Sequence, residues 1–72
     1  MNLKKLDLHG LKHHEVAIKV ENFVLLNQKS LPLEIVCGKS QKMIEIVTNV
    51  LDEIDCENYI IKDFGTIIVR KI

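Results

Sequence analysis

Two of the chain's three glycines each stand between an apolar run and a helical pattern, and this arrangement constrains the fold more than any other feature. Leu3 to Leu8 reads as a strand in which Leu6 and Leu8 alternate with Asp7 and His9, and Gly10 ends it. Leu33 to Cys37 is a second short strand, and Gly38 is its exit. From Lys12 to Gln28 the apolar positions Val16, Val20, Phe23 and Val24 fall at helical spacing, with Ala17 and Leu26 widening the stripe. Pro32 cannot continue that helix. Ser40 or Gln41 to Ile54 is a second amphipathic helix, with Met43, Val47, Val50, Leu51 and Ile54 on one face. Asn58 to Phe64 and Thr66 to Ile72 are β-rich runs around Gly65, the pattern of a hairpin. The order is βαβαββ. Strand–helix–strand units pair in parallel through right-handed crossovers. The expected fold is therefore a two-layer α/β sandwich: a four-stranded mixed sheet with both helices on one face and the other face open.

Seventy-two residues make one domain, residues 1–72. A chain of this length buries only about 60% of its unfolded surface, so nearly every apolar position must contribute to one core. Apolar residues at 47% suit such a core and argue against disorder. No apolar run reaches the roughly 20 residues that cross a bilayer, and no h-region follows Lys4 and Lys5. A soluble, cytoplasmic protein is expected, with no membrane partner. Cys37 and Cys56 are too few for a disulfide scaffold and are read as reduced.

In an open α/β sheet, ligands bind beyond the C-terminal ends of the parallel strands. Here those ends are Asp7-Leu8-His9-Gly10 and Val36-Cys37-Gly38-Lys39-Ser40, expected side by side. Gly38-Lys39-Ser40 resembles the end of a phosphate loop, but the full motif needs a glycine five residues before Gly38, where Leu33 stands. A nucleotide hydrolase is excluded on that ground. The net charge is zero, so no global attraction to nucleic acid exists. Locally the chain is polarised. Lys12, His13, His14, Lys39 and Lys42 gather where both helices begin, whereas Asp52, Glu53, Asp55 and Glu57 crowd the end of the second helix. Helix N-termini also attract anions, so this rim suits phosphates; ordinary solvated lysines are the plainer reading.

Asp7 and His9, two apart on a strand, point the same way, and a carboxylate beside an imidazole can perform acid–base work or fix each other by a hydrogen bond. An inert polar pair on the open face is the alternative. Asp7, His9, His13, His14 and Cys37 lack the spacing of a dedicated zinc site, which leaves at most a loosely held divalent ion. Cys37 beside His9 has the elements of a nucleophile–base pair, although a lone cysteine at a strand end is commonly a small buried hydrophobe. With Tyr59 the only large amphipathic ring, no platform exists for stacking bases.

The stretch "LDLHG" at residues 6–10, followed by "EVAIKVENFV" and closed by "FGTIIVRKI" at residues 64–72, resembles the small MutS-related domain, Smr. The likeness runs from Leu6 to Ile72. It implies a sandwich like the C-terminal domain of a bacterial translation initiation factor. It also implies binding and cleavage of DNA or RNA, with messenger RNA on the ribosome among the substrates associated with the family. The motif Asp and His map onto Asp7 and His9, and the glycine of the second family loop onto Gly38. The chain departs from the family at three positions. Cys37 stands where His or Thr is usual, Ser40 replaces a second glycine, and Lys12 replaces a Thr-type cap.

These readings define a site with Asp7 and His9 as catalytic residues and Gly10, Lys12, His13, Gly38, Lys39, Ser40 and Lys42 as nucleic-acid contacts. Mg²⁺ or Mn²⁺ is the only cofactor in view. A non-catalytic module binding nucleic acid or the ribosome is the second reading, since binding survives the departures at Cys37 and Ser40 more readily than cleavage. A third is a protein-interaction domain or weak homodimer, suggested by Ile44 and Ile46 and by an open sheet face expected to be rich in Ile and Val.

Overall fold

The computed structural model describes residues 4–56, 58–63 and 65–71. The first strand, β1, is Lys4–Asp7, followed by α1 at His13–Leu26 and a short 3-10 helix at Gln28–Ser30. Next come β2 at Leu33–Val36, α2 at Gln41–Glu53, β3 at Asn58–Lys62 and β4 at Thr66–Lys71. The expected participation of Leu3, Phe64 and Ile72 lies outside the described residues.

The sheet order is β1-β2-β4-β3. β1 and β2 pair in parallel, and β4 runs antiparallel to both β2 and β3. β3 therefore points the same way as β2, with β4 inserted between them. The step from β1 to β2 and the longer step from β2 to β3 go in the same direction across the sheet. With crossovers of one hand, that places both helices on one face. The fold is the expected two-layer α/β sandwich.

Alternate strand positions Leu33 and Ile35 on β2 and Ile67 and Val69 on β4 meet Val16, Val20 and Val24 of α1 and Met43, Ile44, Val47, Val50 and Leu51 of α2 in one apolar core. That core contains no buried polar side chain among the described residues. Two expectations are corrected here. Ile44 is buried and Ile46 half-buried against the core, so neither widens an exposed helix surface. The open face is also less aliphatic than expected. It carries Val36, Ile60 and Ile68 among Lys5, Asp7, Glu34, Lys62 and Thr66, and Lys5 pairs with Glu34 at 3.8 Å. Most of the strands' Ile and Val face the helices instead.

Element ends follow local chemistry. α1 stops short of Gln28 because the Asn27 side-chain Nδ2 donates to the Phe23 carbonyl at 2.7 Å. It takes the place of the Asn27 backbone N–H that would continue the helix, and that N–H turns to the Val24 carbonyl at 3.3 Å. Leu26, expected on the buried stripe, is 83% exposed there. α2 ends in a left-handed residue, Asp55 at φ 60°. The Cys56 N–H then reaches back to the Leu51 carbonyl at 2.8 Å, and the Asp55 N–H to that of Asp52 at 3.1 Å. This is the Schellman pattern, completed by burial of both Cys56 and Leu51.

Candidate functional site

Parallel pairing of β1 with β2 puts Asp7 beside Val36, and the Leu8 N–H continues the ladder to the Val36 carbonyl at 3.0 Å. The chain leaves both strands at the same level. Gly10 and Gly38 then turn it into the two helices at φ +84° and +73°, a region where an L side chain is strained. Between the turns lies an open cleft of about 480 Å³, lined by Asp7 to Gly10 on one side and Val36 to Ser40 on the other, with Met43 beneath. A methyl built on Gly10 or Gly38 would meet nothing within 4 Å, so the space beside both α-carbons is open.

All nine expected site residues sit at these two loops or at the helix starts directly after them. Asp7, His9, Gly10, Gly38, Lys39 and Ser40 line the cleft itself. Lys12 is the residue before α1, with extended backbone, and His13 and Lys42 lie in the first turns of the helices. None of these three lines the cleft; they are exposed at its edge.

Asp7 and His9 are not joined through the imidazole. Asp7 Oδ1 instead accepts the backbone N–H of His9 at 2.9 Å, which ends the strand after Asp7 and turns the chain toward Gly10. The His9 ring is left exposed, with no hydrogen bond to any of the described residues. The two helix starts are capped differently. Ser40 Oγ accepts the Met43 N–H at 3.1 Å, as a serine before a helix should. At α1 the Glu15 carboxylate accepts the Lys12 N–H at 3.3 Å, while the Lys12 ammonium has no lone pair with which to close the reciprocal bond.

Cys37 is 4% exposed, and burial pushes its thiol up to about 11. Burial thus favours the protonated thiol, which works against a nucleophilic role for Cys37 beside His9. Among the described residues no three His, Cys, Asp or Glu side chains are grouped to hold a metal ion, so His9, His13, His14, Asp7 and Cys37 do not assemble into one.

One participant was not legible as such. Gly65, in the β3–β4 turn, accepts the Cys37 N–H at 2.6 Å and packs on Gly38. In the sequence it signals only a turn. No helix is long and apolar enough to cross a membrane among the described residues. Comparison with family models, with curated proteins and with solved structures finds no match to this chain.

Proposed function

We propose that this chain is an Smr-type domain that binds nucleic-acid backbone at the paired loops and cleaves a phosphodiester there, acting in the cytoplasm. The observation that carries the proposal is the convergence of "LDLHG" and "CGKS" on one cleft, with an exposed glycine on each side and Lys39 between the helix starts. Phosphate oxygens would rest on Lys39 and on the free N–H groups opening α2, with Lys12, His13 and Lys42 at the rim. His9 supplies the cleft's imidazole, the side chain most often used for general acid–base work. It would take the proton from an attacking water or ribose hydroxyl. That oxygen bonds to phosphorus, the P–O bond to the leaving oxygen breaks, and the leaving oxygen picks up a proton. Asp7 orients His9 through its backbone N–H.

A second reading, binding without cleavage to a structured nucleic acid or the ribosome, is favoured by the burial of Cys37. Its position offers a neutral thiol where the family has His or Thr.

A cleavage assay on supercoiled plasmid and on structured RNA, with and without Mg²⁺ or Mn²⁺, decides between the readings. The Asp7→Asn/His9→Ala protein is the control. Cleavage lost in the double variant is the expected result. Binding with no cleavage above that background selects the binding module, and no binding to either probe rejects both.

A further inference from the structure

We infer that Gly65, in the β3–β4 turn behind the second loop, is a positioning residue for that loop. The inference rests on the proposed nucleic-acid site. Three observations combine at one point. Gly65 has φ +104°, outside the range L side chains adopt readily. Its carbonyl accepts the Cys37 N–H at 2.6 Å, the ladder's last link before the loop. A methyl added to Gly65 would run into the Gly38 carbonyl oxygen and lie 2.8 Å from its carbonyl carbon, so the two glycine backbones are stacked. Gly10 and Gly38 differ sharply in this respect, since a methyl there meets open space. Their glycines are required by backbone angle alone, whereas Gly65 is required by angle and by room.

The consequence is mechanical. The obstructing atoms are backbone, and cannot rotate away as the end of a flexible side chain would. A side chain at position 65 must move the Gly65 and Gly38 backbones apart, and a shift of Gly38 carries Lys39 and Ser40, which line the cleft, with it. A displacement of this kind next to a site costs binding roughly tenfold or more, even where the fold persists. Gly65 itself touches no ligand.

The test uses the full chain and three proteins: wild type, Gly65→Ala, and Val24→Ala, whose cavity lies in the core under α1. Two quantities are read: affinity for a fluorescent RNA hairpin, and backbone amide shifts. The expected result is at least a tenfold affinity loss in Gly65→Ala, with the largest shifts at Gly38, Lys39 and Ser40. Val24→Ala, even if less stable, keeps wild-type affinity. Wild-type affinity in Gly65→Ala, or an equal loss in Val24→Ala, overturns the inference. If the wild type does not bind the RNA hairpin, affinity is read on duplex DNA instead; if it binds neither, the functional reading fails and the shifts decide alone. Displacement centred on Gly38 to Ser40 then supports the positioning role, and unchanged signals there refute it. If Gly65→Ala does not fold, exchange of the wild-type Cys37 amide with and without RNA replaces it. Slower exchange on binding supports the coupling, and an unchanged rate overturns it.

Discussion

At the scale of single residues, Cys37 and Asp7 are each committed to something other than the reaction they resemble. The Cys37 thiol is held protonated by burial, its ordinary value of 9.0 moved to about 11. A raised value means the folded chain holds that proton more tightly than the unfolded one. The resulting stability is present below pH 9 and is lost as pH rises from 9 to 11. Urea midpoints measured across that window should fall in the wild type and fall less in Cys37→Ala. A parallel pH dependence in the two proteins would show that Cys37 does not contribute. Asp7 spends one oxygen on the His9 N–H. Asp7→Ala removes that bond and should cost about 1 kcal/mol in urea unfolding. Asp7→Asn retains an acceptor oxygen and should cost less. An Asn variant as unstable as the Ala variant would assign the effect to charge and not to the turn.

Among the elements, α2 carries a strained end that is open to improvement. Asp55 occupies the left-handed position of a Schellman motif, where glycine is the usual residue. Asp55→Gly should raise stability by about 1 kcal/mol, because the penalty for a side chain in that region disappears. A drop in the unfolding temperature would mean that the Asp55 side chain makes a compensating contribution. The same reasoning in reverse applies to Gly10→Ala and Gly38→Ala. Each should lose about 1–2 kcal/mol from backbone angle alone, without a clash. The elements themselves were legible in the sequence, because glycine-ended strands and 3.6-residue apolar spacing are local signals. What was not legible depended on contacts across the chain. Leu26 fits the apolar stripe by spacing, yet the helix ends under it when Asn27 bonds to Phe23. Asp7 and His9 fit a side-chain pair by strand geometry, yet the strand ends between them. Gly65 looks like any hairpin glycine until β4 is inserted beside β2 and brings the turn onto Gly38. Lys12, His13 and Lys42 were assigned by sequence proximity to the loops, which placed them near the cleft but not in it.

For the whole molecule, zero net charge does not forbid binding to a polyanion, because the two charge poles lie at opposite ends of α2. Lys39 and Lys42 sit at its start, and Asp52, Glu53 and Asp55 at its end. Thirteen helical residues at 1.5 Å each separate the poles by about 20 Å, well beyond the Debye length of about 8 Å at physiological salt. A bound phosphate at the loops is thus screened from the acidic end and responds to the local lysines. Binding should behave as that of a small cationic patch. With Lys12, Lys39 and Lys42 each displacing one counterion, the slope of log affinity against log salt for duplex DNA should be about −3. Lys39→Ala should lower that magnitude by about 1 and weaken all sequences alike. Lys29, beyond the far end of α1, should be silent when changed to Ala. Titration of a labelled duplex over a range of salt concentrations measures all three. A flat salt dependence would remove the phosphate contacts from the proposal. Equal effects at Lys29 and Lys39 would replace a defined rim with diffuse attraction over the surface, and the cleft would lose its claim to be the site.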